Sequence, residues 1–142
     1  MSLLTEVANR MSAAGQRFTT SRKHIVDVLA SADRPLSIPE ILEATPEVAQ
    51  SSAYRNLASL EKVGVVARVV TSDEWARYEL SEDITGHHHH LVCSQCGAVT
   101  DVVVPDDVEH RLDSALGAVA TSAGFHLQHH RLDLIGVCGQ CQ

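Results

Sequence analysis

Apolar residues recur at helical spacing through the first half of the chain. Ile25, Val28 and Leu29 fall at i, i+3 and i+4 behind Thr19 and Thr20, which can cap a helix there. Pro35 breaks that pattern, Ser37 precedes a short helical stretch with Ile38, Ile41 and Leu42 inward, and Pro46 marks its end. A third helix is predicted from Ala49 to Val63, with Ala53, Leu57 and Leu60 on its packing side and Ser51, Ser52, Arg55, Ser59 and Lys62 elsewhere. Gly64 is in position to end it. Val65–Val70 and Trp75–Leu80 are β-rich runs joined through Thr71-Ser72-Asp73-Glu74, as in a hairpin. Three short helices followed by a hairpin predict a winged helix-turn-helix.

The polar stretch Ser81–Gly86 marks a boundary, dividing the chain into residues 1–82 and 83–142. Beyond it, His87–Cys93 and Val99–Val104 read as strands, and Asp106, Asp107 and Glu109 favour the first turn of a helix after Pro105. Val108, Leu112, Ala115, Leu116 and Val119 form the expected buried stripe of that helix, Gly124 ends it, and Phe125–Val137 reads as a final strand. The expected fold is α+β, an N-terminal winged helix followed by a small C-terminal α/β module.

With 142 residues the chain is one domain or two small ones, and 44% hydrophobic with 20% charged residues is a globular composition. No apolar run is long enough to cross a bilayer, and the opening MSLLTEVANRMSAAG lacks a signal-peptide core, so the expected setting is the cytoplasm, without a membrane partner. The net charge of -7 is uneven: residues 1–80 carry nine Lys or Arg against ten Asp or Glu, and residues 81–142 two against eight. A near-neutral first half can still offer a basic face to phosphates, while an acidic, histidine-rich second half suits cations.

All four cysteines lie in two C-x-x-C pairs, Cys93/Cys96 and Cys138/Cys141. Two such pairs complete the four-sulfur shell of a structural Zn2+ site, and disulfides are the alternative that a reducing cytosol disfavours. The run His87-His88-His89-His90 leads directly into Cys93. In an extended strand His87 and His89 project to one face and His88 and His90 to the other, so each pair offers two imidazoles to a different site. Glu79, Asp83, Asp101, Glu109 and His130 are available to complete such sites. Tyr54 and Arg55 lie near the start of the free side of the third helix, where Arg can read guanine and Tyr a thymine methyl, and Arg17 can reach phosphates.

These segments together resemble the ferric uptake regulator (Fur) family of dimeric, metal-dependent repressors. The likeness rests on A-G-Q-R-F-T-T-S-R at 14–22, S-A-Y-R-N-L at 52–57, R-Y-E-L at 77–80, H-H-H-H-L-V-C-S-Q-C-G at 87–97 and the terminal C-G-Q-C. The resemblance implies a winged-helix DNA reader, a dimerisation module and a metal site at the hinge between them. Position by position it implies structural Zn2+ at Cys93, Cys96, Cys138 and Cys141, and a regulatory site at Glu79, His88, His90 and Asp101, with Asp83 as an alternative to Glu79. It further implies an additional site at His87, His89, Glu109 and His130, and DNA contacts from Arg17, Ser51, Ser52, Tyr54 and Arg55. The histidine that iron-type members carry near Pro35 or Leu36 is absent, as are the hinge cysteine near Asp83 and the aspartate near Ala67 of zinc-sensing actinobacterial members. The regulatory donors suit Fe2+ or Zn2+, with Mn2+ or Ni2+ also compatible.

The expected function is a homodimeric, metal-activated repressor of metal-homeostasis genes acting on a palindromic duplex, and not an enzyme. The alternatives are a peroxide sensor in which bound iron oxidises a histidine ligand, a zinc hydrolase, and a zinc storage protein. The hydrolase lacks an H-E-x-x-H and a clear general base, and storage has no need of a winged helix.

Overall fold

A computed structural model describes residues 2–71 and 75–142. The chain begins with α1 (Leu3–Ala13), capped by Ser2, whose hydroxyl accepts from the Thr5 amide. The helices predicted from sequence follow as α2 (Thr20–Ser31), α3 (Ile38–Ala44) and α4 (Gln50–Lys62). Thr19 caps α2, and Ser37 and Glu40 close a capping box on α3, so each entry angle is set by a short polar residue in extended conformation. The helix α1 is an addition to the sequence reading. Val7 and Met11, one turn apart on its inner face, are fully buried.

Ala53, Leu57 and Leu60 face inward from α4 as expected and join Ile25, Val26, Ile41, Val65 and Leu80 in one core. The hairpin strands β2 (Val66–Val70) and β3 (Ala76–Leu80) pair antiparallel, and β1 (Leu36–Ser37) adds on the far side of β3. This is a winged helix. Of the turn read at Thr71–Glu74, Ser72, Asp73 and Glu74 lie outside the described residues.

A short helix α5 (Glu82–Thr85) bridges to the second sheet, β4 (His89–Cys93), β5 (Val99–Val102) and β6 (Asp133–Gly136), with β4 central. β5 pairs antiparallel with β4 and β6 parallel to it, which sets His90 opposite both Asp101 and Asp133. The connection from β5 to β6 runs through α6 (Asp106–Ser122).

Two expectations need correction here. Phe125–Val137 is not one strand: only Asp133–Gly136 pairs, and the preceding stretch brings His130 back against α6. The stripe on α6 is not buried in a single chain; Val108, Leu112 and Leu116 are half-covered, and Ala115 and Val119 are exposed. An amphipathic face has the same sequence pattern whether its cover is its own core or another molecule.

Candidate metal centres and nucleic-acid face

Three groups of donor atoms converge in the second half of the chain, each within 4.8 Å. The first is Cys93, Cys96, Cys138 and Cys141. Pairing of β4 with β6 places Cys93 opposite Gly136, which carries the C-terminal pair to the end of β4. Gly97 takes φ 77° directly after Cys96, a left-handed turn that glycine adopts without strain. All four thiols are unbonded to each other, and Cys96 Sγ lies 3.8 Å from Cys138 Sγ. A tetrahedron with Zn–S bonds of ~2.3 Å has edges of about 3.8 Å, so the spacing fits zinc. The amides of Cys138 (3.3 Å) and Cys96 (3.5 Å) donate to Cys93 Sγ. These N–H groups, with that of Gln95, pull the Cys93 thiol down to about 6, whereas hydrogen bonds with Cys138 and Cys96 push Cys141 up to about 12. The Cys93 thiolate thus forms readily at neutral pH, whereas Cys141 would ionise only with a cation's charge to stabilise it.

The second group is Glu79, His88, His90 and Asp101. Glu79 comes from β3 of the winged helix, and the other three from the far side of α5. His88 Nε2 lies 2.9 Å from Glu79 Oε2 and His90 Nε2 3.1 Å from Glu79 Oε1, while Asp101 Oδ1 is 3.8 and 3.6 Å from the same two nitrogens. Donors at ~2.1 Å from one ion are separated by about 3.0 Å in an octahedron and 3.4 Å in a tetrahedron, close to this set. The tautomers are fixed from outside. Gly86, at φ 103°, turns its carbonyl to 3.1 Å from His88 Nδ1, and Asp133 Oδ1 lies 3.4 Å from His90 Nδ1. Carbonyl and carboxylate oxygens only accept, so each Nδ1 keeps a proton and each Nε2, whose proton a cation would displace, faces the centre.

Electrostatics at this group follow from crowding two carboxylates and two rings. Burial alone would raise the Glu79 carboxyl, but hydrogen bonds from His90 and His88 outweigh it and hold the group low. Burial opposes the charged form of His88, yet the Gly86 carbonyl and Glu79 leave it raised, and His90 is raised chiefly by Glu79. Asp101 is raised by burial and by the neighbouring Glu79 charge, and its Oδ1 is buried without a hydrogen-bond partner. That orphaned oxygen, aimed at two imidazole nitrogens, is what a cation would satisfy. Asp83 stands outside the group, its carboxylate 3.0 Å from Arg10 Nη1, so Glu79 rather than Asp83 occupies this centre.

The third group is His87, His89, Glu109 and His130. His130 Nε2 and His87 Nε2 lie 3.1 and 3.3 Å from Glu109 Oε2, and His89 Nε2 pairs with Glu109 Oε1. His89, 2% exposed, is the most buried histidine among the described residues. Burial would push the Glu109 carboxyl up, but His89, His87 and His130 together hold it low. His87 and His89, expected on one face of an extended run, lie together in this group, and His88 and His90 lie together in the second.

The remaining predicted residues lie on the winged helix. Arg17, Ser51, Tyr54 and Arg55 are exposed, Tyr54 at 54%, so its ring points outward from α4. Ser52 is different: its hydroxyl accepts from Asn56 Nδ2 at 3.0 Å, and Asn56 Oδ1 accepts from Arg22 Nε at 2.9 Å. Arg22 Nη1 also donates to the Arg17 carbonyl at 2.6 Å. This chain holds α4 and the Arg17 loop to α2, a role that sequence reading did not assign. Arg22 and Asn56 stood inside the quoted motifs, which was the available signal. Likewise Asp133, Glu82 and Asp113, behind the histidines, carried no spacing signal and are found only through the fold.

The fold and these groups define a winged-helix protein joined to a second module, with three sets of candidate metal donors in that module or between it and the winged helix. The sequence pattern of the ferric uptake regulator family matches residues 13–135, and the chain belongs to that family. It is 28% identical to the peroxide-responsive repressor PerR of Staphylococcus aureus, over 98% of this chain and 91% of the relative. Among solved structures it resembles the Helicobacter pylori ferric uptake regulator Fur (TM-score 0.77, 24% identity, 98% of this chain and 91% of that one). It also resembles the Pseudomonas aeruginosa ferric uptake regulator solved with manganese (TM-score 0.72, 27% identity, 98% and 99%). Members of this family are transcriptional regulators.

Proposed function

We propose that the chain is a homodimeric, metal-activated transcriptional repressor, with residues 1–82 reading DNA and residues 83–142 binding metal and dimerising. The observation that carries the reading is the membership of the second group. Glu79 belongs to the wing strand β3, whereas His88, His90 and Asp101 belong to the second module. A divalent cation bound there supplies a cross-link between the two modules and charge to offset two carboxylates. Glu79 then fixes the wing relative to β4, and with it α4, whose Tyr54, Arg55 and Ser51 face solvent. Fixing one orientation of two readers favours a duplex with two half-sites, because the state that binds DNA no longer has to be selected from many. Fe2+ and Zn2+ suit the two imidazoles and two carboxylates, and Mn2+ and Ni2+ are also compatible. The cysteine group serves as the structural Zn2+ site.

Dimerisation is supported by the apolar face of the second module. Val119, Phe125 and Ile135 are 66%, 72% and 66% exposed, and β6 is an edge strand with no buried residue. A face of this kind is covered by a second copy in the working molecule.

The test is duplex binding at fixed salt with and without Mn2+. Addition of the ion is expected to tighten binding in the wild type, and His88→Ala with His90→Ala to remove that response while leaving the zinc of the cysteine group in place. Equal duplex affinity with and without the ion in the wild type would contradict the reading. A second reading, favoured by the relation to Staphylococcus aureus PerR, is that Fe2+ at this site directs peroxide onto a histidine ligand. A one-oxygen mass increase on His88 or His90 after Fe2+ and peroxide treatment distinguishes it.

A further inference from the structure

Behind the third group stand two carboxylates that no motif singles out. Glu82 Oε2 lies 3.0 Å from His87 Nδ1, and Asp113 Oδ1 lies 3.0 Å from His130 Nδ1. The third ring, His89, has a buried Nδ1 without a hydrogen-bond partner. A carboxylate only accepts, so Glu82 and Asp113 hold a proton on Nδ1 of His87 and His130 and turn their Nε2 atoms toward Glu109, where each would ligate an ion once free of its own proton. Asp113 belongs to the same helix as Glu109, so it ties the group only to its own module.

Glu82 is placed differently. It is the first residue of α5, the short helix between the two modules, and its neighbour Asp83 accepts from Arg10 Nη1 of α1 at 3.0 Å. The same Arg10 nitrogen reaches the Gly64 carbonyl at 3.3 Å, just past the end of α4. Successive carboxylates on one helical turn therefore grip opposite modules: Glu82 holds a histidine of the second, and Asp83 holds the winged helix.

We propose that Glu82 is a positioning residue for a divalent ion at the His87–His89–Glu109–His130 group, and that it transmits occupancy of this group to the hinge helix α5. The proposal rests on the metal-binding reading given above. A ring whose Nε2 gives up electron density has a more acidic Nδ1–H, so the bond to Glu82 strengthens when the group is loaded. By reciprocity Glu82 must strengthen loading by the same free energy that loading contributes to holding α5.

The test uses full-length protein with Zn2+ in the cysteine group and His88→Ala/His90→Ala to silence the hinge group; Glu79→Gln/Asp101→Asn is the alternative background if that protein does not fold. Zn2+ affinity is measured by chelator competition, and hydrogen exchange is followed at the Ile84, Thr85 and Gly86 amides, which bond back to Ser81 and Glu82 carbonyls. Glu82→Ala is expected to weaken Zn2+ binding by about tenfold, the lower end of what outer carboxylates contribute. Glu82→Gln, whose amide oxygen still accepts from Nδ1–H, is expected to recover most of that loss. Asp83→Ala, which faces Arg10, is expected to leave the affinity unchanged. Zn2+ should slow exchange in α5 of the parent and not of Glu82→Ala. The proposal is overturned if Glu82→Ala binds Zn2+ as tightly as the parent, or if Asp83→Ala loses as much, since the integrity of α5 would then be the cause. If His87→Ala/Glu109→Ala also binds Zn2+ as tightly as the parent, the metal reading of the group has itself failed and the proposal fails with it.

Discussion

The hinge group makes a quantitative statement about protons. Without a cation, the Nε2 atoms of His88 and His90 hold protons against Glu79, and both rings have pKa values raised above the ordinary 6.5. A metal ligand must be deprotonated, so loading expels these protons. Two ordinary histidines, each half protonated at pH 6.5, would together release one proton there. Raised values make the release exceed one at that pH and approach two as the pH falls. Glu79 is held low and adds nothing in this range, while Asp101, raised by burial, acts in the same direction at lower pH. The logarithm of the affinity should therefore rise with pH at a slope above one at pH 6.5 and near two below it, roughly 1.4 to 2.7 kcal/mol per pH unit. The assay is competition titration of Mn2+ in a His87→Ala/Glu109→Ala background with Zn2+ retained in the cysteine group. A slope that stays at one or less as the pH falls well below 6.5 would refute the assignment of both rings as ligands.

Further outcomes follow from the same geometry. With the hinge group free of cations, the ion pairs of Glu79 contribute stability that is present above the ordinary carboxyl value of 4.5 and below the ordinary imidazole value of 6.5. It is lost as pH rises through the raised histidine values or falls through the lowered Glu79 value. The difference in Tm between the wild type and His88→Ala/His90→Ala should be largest in that window, and a difference that grows above neutral pH would contradict it. Cys138→Ser should release Zn2+ and loosen the β4–β6 pairing, seen as loss of zinc in elemental analysis and faster exchange at the Leu91–Cys93 amides; retention of a full equivalent would rule the cysteine site out. Arg55→Ala should weaken binding to a selected duplex by ~1–3 kcal/mol if its guanidinium reads a base, with unchanged Tm because the side chain is exposed.

Much of this architecture was legible because periodicity and burial coincide within one chain. Ala53, Leu57 and Leu60 on α4, and the alternation of four histidines, required only helix and strand geometry. The helix α1 carries the same kind of signal, with Leu3, Val7 and Met11 at four-residue spacing, although no helix is predicted there. The stripe on α6 shows the opposite limit. Apolar periodicity indicates a face that will be covered and is silent on what covers it. The choice between Glu79 and Asp83 was likewise beyond spacing, because it depends on how β3 and α5 are set against β4, and the structure gives Asp83 to Arg10. The outer partners Glu82, Asp113 and Asp133 lie far from or beside their histidines in sequence without any pattern, and only folding reveals them.

The account turns on energetic coupling between the hinge group and DNA, and coupling must be reciprocal. The direct measurement is the affinity of the hinge group for Mn2+ in zinc-loaded dimer, alone and saturated with a duplex selected from a random pool by the loaded protein. The account predicts that the duplex tightens Mn2+ binding by the same factor by which Mn2+ tightens duplex binding, and that Glu79→Gln reduces both together. An Mn2+ affinity unmoved by the duplex would contradict it.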